Sequence, residues 1–178
     1  MSTLEVKELS HPAGEVIKIA AGKTLDLKTQ GSVTMPTGSV LQVVTAKTNL
    51  GFVTTTSTSF VDSGMTASIT PKFSTSKILV TFHVGMAIGY TNGALMTILA
   101  RNGSVIGGGT TYANYSNVAG ASTTEGLYHP YMLTTTDSPN TTSAVTYSVK
   151  FASSASGVTV HAAHAGTSVN ISLMEIQG

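Results

Sequence analysis

Lys77 to Gly89 reads KILVTFHVGMAIG, and this stretch decides the fold. Ile78, Val80, Phe82, Val84, Met86 and Ile88 recur at every second position. Leu79, Thr81, His83, Gly85, Ala87 and Gly89 lie between them and, Leu79 apart, are small or polar. A period of two sustained over this length is one long β-strand with its bulky face on a core. A helix would not bury the set, because alternate residues point in nearly opposite directions around its axis. Such a strand is stable only with strands on its flanks and a second sheet over its apolar face.

The same signal recurs on either side. Ser143 to Ala152 alternates with Val145, Tyr147, Val149 and Phe151 inward, and Thr167 to Ile176 places Val169, Ile171 and Leu173 on one face. Ser39 to Thr48 turns Val40, Gln42 and Val44 one way and Leu41 and Val43 the other. With both faces apolar, it reads as a strand covered on both sides, at an intersubunit contact. Thr58–Asp62 and Met65–Thr70 read as short strands around a turn at Asp62-Ser63-Gly64. Tyr90 to Gly93 and Asn102-Gly103 are hairpin turns, since Asn-Gly supplies the positive φ of a type I′ turn. Gly107 to Thr124 is a polar, glycine-rich loop. Gly126 to Thr136 is a strand interrupted at Pro130, and Gly157 to Ala162 is short. About eight body strands joined by turns, with no helical periodicity, predict an all-β antiparallel β-sandwich of jelly-roll type. An immunoglobulin-like sandwich stays open, but its Cys and Trp pins are missing.

Composition narrows the function. The chain has 178 residues, enough for one domain plus extra length. Only 10% of it is charged, against a usual share of about 25%, and the net charge is +1. Ser and Thr replace the charges, as in Thr54 to Ser59 and Thr134 to Thr136. These residues tolerate β-structure but supply no repulsion between molecules. With no cysteine, disulfides and thiol chemistry are excluded. No basic patch suits nucleic acid, and no apolar run reaches the ~20 residues of a membrane helix. The leading MSTLEVKELS lacks a signal-peptide core, so Sec export is not indicated. Charge is also unevenly placed: Glu5, Lys7, Glu8, Glu15, Lys18, Lys23, Asp26 and Lys28 all precede residue 30, whereas Ile78 to Thr136 holds only Arg101 and Glu125. The chain therefore divides into an N-terminal arm, 1–37, and a nearly neutral β-sandwich knob, 38–178.

Within the arm, residues 1–13 form an extended lead broken at His11-Pro12, because proline biases its predecessor away from helix. Glu15–Ala20 and Thr24–Lys28 are short strands, with turns at Ala21-Gly22-Lys23 and Gln30-Gly31. Each strand offers only a pair or so of apolar residues. At ~1.5–3 kcal/mol per buried aliphatic side chain, such a pair does not offset the ordering entropy of its segment. The arm is either disordered alone or lies on something else. Regular apolar spacing favours the second, since disordered tails seldom keep it. Val16, Ile17, Ile19, Leu25, Leu27, Val33 and Met35 are therefore the candidate docking residues.

No constellation for chemistry emerges. His161 and His164 are three apart, which on a strand sends them to opposite faces, and no carboxylate or thiol beside them completes a metal site. His83, on the less bulky face of the long strand, is expected to be satisfied between sheets or to line a threefold axis. Acid–base catalysis needs positioned carboxylates or a nucleophile beside a base. Beyond residue 30 the acids are only Asp62, Glu125, Asp137 and Glu175, all isolated. Asp62 looks like turn chemistry, and Glu175 is expected to pair with Arg101 or a lysine. Gly107-Gly108-Gly109 has no G-K-[ST] after it and opens no helix, so it is no phosphate loop. Catalytic, cofactor and metal sites are thus expected to be absent. The best ligand surface is the loop carrying Tyr112, Asn114 and Tyr115, whose aromatic faces suit a sugar ring or a neighbouring subunit equally well.

Two stretches carry a family likeness: VIKIAAGKTLDL with GSVTMPTGSVLQVV, and TSTSFVDSGMTASITPKFSTSKILV. Over roughly residues 14–88 the chain resembles small virion structural proteins of tailed phages, of the cyanophage and marine-phage type. The resemblance implies a non-enzymatic homotrimer on the outer surface of the virion, with an N-terminal attachment segment and a C-terminal β-rich knob. Its partners would be other copies of itself and the major capsid protein or another virion protein, with no nucleic acid and no membrane. An arm of ~37 residues spans at most ~120 Å and holds no heptads, so it is no fibre shaft. That geometry favours a capsid decoration, or cement, protein. The alternative is a short tail-fibre, receptor-binding protein recognising a host-surface glycan.

Overall fold

The computed structural model describes residues 21–23, 35–49, 51–88, 95–106, 111–114, 127–163 and 168–178. The chain divides into two units, 1–34 and 35–178, and every strand named below belongs to the second. The described residues form eleven strands and no helix: β1 Val40–Asn49, β2 Val53–Thr55, β3 Val61–Ile69, β4 Lys77–Ile88, β5 Leu95–Arg101, β6 Ser104–Val105, β7 Thr111–Asn114, β8 Leu127–Asp137, β9 Val145–Ser153, β10 Val160–Ala163 and β11 Ser168–Ile176.

β4 is the axis of the first sheet. β8 pairs with it from Ile78 to Ile88, so one edge is filled. On the other edge β11 takes Lys77–His83 and β10 takes Ala87–Ile88. β1 extends the sheet beyond β11, and β2 extends it beyond β10. The second sheet runs β3-β9-β5, with β6 and β7 sharing the far edge of β5. All ladders are antiparallel. The protein is thus an all-β antiparallel sandwich, as the sequence predicts. Its longer strands alternate between layers: β1, β4, β8 and β11 lie in the first sheet, and β3, β5 and β9 in the second.

The core lies where the two alternating faces meet. Ile78, Val80 and Phe82 of β4 are fully buried, with Ile171 and Leu173 of β11 beside them. Val145, Tyr147, Val149 and Phe151 of β9 face them from the second sheet, and Met65 and Ile69 of β3 fill the flank. The burial of Val84, Met86 and Ile88 lies outside what the structure describes. β5 is buried on both faces: Leu95 and Leu99 join the inter-sheet cluster, while Ile98 and Ala100 on its opposite face are also buried.

Four local readings are corrected. Asp62-Ser63-Gly64 is no turn between two strands but a bulge inside one, β3, where the register with β9 jumps between Asp62 and Thr66. Gly64 takes a φ of +77° there. The buried Ser63 hydroxyl donates to the Val149 carbonyl at 2.5 Å, so the bulge is held by the neighbouring strand. Thr58 to Phe60 lie before β3. Pro130 does not interrupt β8; it sits opposite Gly85 on an edge strand, where its missing N–H breaks no ladder. The glycine-rich loop contains a strand, β7, paired with β5. The Asn102-Gly103 hairpin is as expected, with φ values of 49° and 82°. The Tyr90–Gly93 turn lies outside the described residues.

Candidate functional site

Two carboxylates of the first sheet, Glu175 and Asp137, each gather a cluster of hydrogen-bond donors. Glu175, Ile78 and Asp137 form one transverse row across β11, β4 and β8. Glu175 is fully buried. Gln42 Nε2 donates to its Oε2 at 2.5 Å, while Ser76 Oγ at 2.6 Å and the Lys72 amide at 2.7 Å donate to its Oε1. The Phe73 amide donates to it as well. Burial alone would raise the pKa of this carboxyl, but the hydrogen bonds from Ser76, Gln42, Lys72 and Phe73 together outweigh it and hold it below the ordinary value. The expected pairing of Glu175 with Arg101 or a lysine is therefore wrong. Its partners are neutral donors that tie β1 and the β3–β4 turn to β11.

Arg101 is taken by Asp137. Its Nη1 lies 2.7 Å from Oδ2 and 3.0 Å from Oδ1 of that residue. The Tyr147 hydroxyl donates to the same Oδ2 at 2.7 Å. The cluster joins β5 and β9 of the second sheet to β8 of the first. Burial, then the bond to Asp137, drives the Tyr147 phenol far above its ordinary pKa. In both clusters the carboxylate oxygens are already engaged by donors of the fold, which leaves neither placed as a catalytic base. Asp62 pairs with Lys150 at 3.2 Å across β3 and β9, exposed enough to contribute little to stability. Among the described residues no group of three metal-ligating side chains occurs.

The sequence-predicted site residues fare unevenly. Val16, Ile17, Ile19, Leu25, Leu27 and Val33 lie outside the described residues, while Met35, the first residue of the second unit, is 39% exposed. Tyr112 and Asn114 stand on β7 opposite Met96 and Leu95, at an edge of the second sheet; Tyr115 lies outside the described residues. His83 is exposed on the outer face of the first sheet and not enclosed between sheets, because its neighbour Phe82 takes the inward position. His161 packs edge-on against Phe52, ring centroids 5.7 Å apart, and His164 lies outside the described residues.

That outer face is the feature the sequence reading missed as a unit. Its rows follow from the registers. Val40, Ile176 and Lys77 form the first; Val43, Met174, Leu79 and Thr136 the second; Thr45, Ser172, Thr81 and Thr134 the third; Lys47, Asn170, His83 and Met132 the fourth. Val40 is 48% and Val43 52% exposed, with Leu79, Met174 and Ile176 half-buried beside them. Met132 is 63% exposed at the opposite margin. Two signals were present in the sequence: the apolar residues on both faces of β1, and Leu79 as the exception on β4.

No protein-family model and no curated protein matches the chain. Among solved structures it is similar to dimeric latent PorU from Porphyromonas gingivalis, at 13% identity and a TM-score of 0.32. The match covers 79% of this chain and 11% of that one, so this chain spans about a ninth of that protein's length. A likeness of that degree carries no argument about fold or function.

Proposed function

We propose that the chain is a non-enzymatic virion structural protein of a tailed phage: a homotrimeric decoration protein whose β-sandwich knob, wired as a jelly roll, sits on the outer surface of the shell. The observation that carries this reading is the state of β1. Val44 and Ala46 pack against the core, while Val40 and Val43 remain about half exposed on a strand at the edge of the sheet. A chain with only 10% charged residues has little repulsion to keep such a surface apart from others. Cover by neighbouring molecules accounts for it. The resemblance over residues 14–88 supplies the particle, and the alternation of strands between sheets supports the jelly-roll wiring. Binding the assembled shell but not its dissociated subunits would stabilise it by mass action.

The test has two parts. Light scattering of the purified full chain should give three times the 18.2 kDa chain mass. Quantitative mass spectrometry of particles should give hundreds of copies each; about a dozen would indicate a fibre, and none would end the proposal. Removing residues 1–34, which keeps the Pro36–Ser39 turn, should leave a folded body that no longer attaches.

A further inference from the structure

The outer face of the first sheet carries charge of one sign. Among the described residues of the body, Arg101 is paired with Asp137 and Lys150 with Asp62. The lysines outside those pairs are Lys47, Lys72 and Lys77, all exposed. Lys77 stands in the first row of the face and Lys47 in the fourth, next to His83's row partner Asn170. Lys72 lies in the turn that leads into β4. No described carboxylate shares this surface: Glu175 and Asp137 point inward in the Ile78 row, and Asp62 is on β3 in the other sheet. Between the lysines lie the half-exposed valines, Leu79, Met174 and a row of hydroxyls. Six residue steps along β4 separate Lys77 from His83, so the lysine-bearing margins stand about 20 Å apart, and four strands make the face about 15 Å wide.

We propose that this face docks a protein surface with an apolar centre and carboxylates at its margin. The inference rests on the decoration reading only in naming the shell as the source of that surface. Charge decides the occupant. A second copy fits poorly: face to face it sets lysines against lysines, and on its other faces the one exposed side-chain carboxylate among the described residues, Asp62, is already paired with Lys150. Nucleic acid fits less well, because the middle rows hold no arginine or lysine to meet phosphates, and one of them presents Val43, Met174 and Leu79 instead. Apolar residues inside a polar margin match the usual anatomy of a protein interface. The face is smaller than a standard interface, so single contacts are weak and gain strength from several copies acting together.

The probe is a column of random glutamate–leucine copolypeptide, with polyglutamate, heparin and duplex DNA columns alongside. The full chain should elute from the copolypeptide at higher salt than from the other three. Lys47→Gln and Lys77→Gln should each weaken retention about two- to fivefold, the range of an exposed ion pair. Lys150→Gln, which removes one charge elsewhere, should leave it unchanged. Val43→Ser with Leu79→Ser should reduce copolypeptide retention to the polyglutamate level. Thermal melts of each variant confirm folding, and light scattering should show an unchanged oligomer. Equal retention of all variants, stronger binding to DNA or heparin, or dissociation of the oligomer by the face variants would each overturn the proposal. A chain absent from particles would sink the decoration reading while leaving this result standing.

Discussion

Glu175 offers the sharpest test of how the body is held. Four donors converge on its carboxylate: Gln42 Nε2, Ser76 Oγ and the amides of Lys72 and Phe73. In Glu175→Ala two of these can recover. Gln42 already donates to the Thr70 carbonyl at 2.7 Å, and the Ser76 hydroxyl can rotate. The two amides are fixed in their turn and cannot. Each stranded N–H costs ~1–3 kcal/mol, toward the lower end at the part-buried Lys72 amide, and the lost side-chain packing adds to it, giving about 3–5 kcal/mol. For a body of this size that is a fall in melting temperature of roughly 10–20 °C. Glu175→Gln keeps the shape but sets an NH2 group against a donor, at a cost of about 1.5–3 kcal/mol. The pH dependence follows from the lowered pKa. A carboxyl whose folded pKa lies below its unfolded one stabilises fully above the unfolded value, near pH 4.3, and loses that contribution as pH falls through the folded value. Melts followed by far-ultraviolet circular dichroism, at fixed protein concentration and from pH 7 to pH 3, should show wild type and Glu175→Gln converging on acidification. An alanine variant within 2 °C of wild type at pH 7, or a glutamine gap constant with pH, would refute this account of the knot.

Three further outcomes are expected. Tyr147→Phe removes one of Asp137's donors but leaves Arg101 in place, so it should cost about 1–2 kcal/mol in denaturant titration. Because the folded phenol is held far above its ordinary pKa, stability should fall as pH rises above about 10, and the phenylalanine variant should lose that component of the slope. Asn102→Ala should cost about 1–2 kcal/mol, since Asn102 holds a φ of 49° and its Oδ1 accepts the Thr146 amide at 2.8 Å. Gly64→Ala should cost about 1 kcal/mol through backbone strain alone, because no atom lies within 4 Å of the added Cβ; a loss far above that would mean the bulge is not as described.

What the sequence made legible was whatever depends on neighbours in the chain. The period of two in β4, β9 and β11 named the inward residues, and Ile78, Val80, Phe82, Val145, Tyr147, Val149, Phe151, Val169, Ile171 and Leu173 are all buried. Asn102-Gly103 named its own turn through a local φ requirement. The bulge in β3 was misread because Asp-Ser-Gly has the same local chemistry as a turn. Only the ladder with β9, some eighty residues away, distinguishes a kink within a strand from a reversal. The polar clusters were illegible for the same reason. Ser76 and Glu175 are 99 residues apart in sequence, and Gln42 and Glu175 133. The period of two does put Glu175 on the inward face with Val169, Ile171 and Leu173, but nothing in the spacing says which distant donors will meet it there.

That last point bears on surface charge. The whole chain carries a net charge of +1, which reads as nearly neutral. The fold does not spend its charges evenly, however. Glu175 is enclosed by neutral donors, Asp137 is held by Arg101 and Tyr147 with 14% of its side chain exposed, and Asp62 sits beside Lys150. Carboxylates drawn inward leave lysines outward, so the described surface of the first sheet is cationic although the count is balanced. A partner meets the surface and not the sum, and long-range attraction follows the local potential. Net charge therefore argues against nucleic acid for the chain as a whole, yet does not describe the one face that exposes Val40, Val43 and Met132. On that face the register of β1, β11, β4 and β8 sets which side chains stand together, and hence what chemistry a partner must bring.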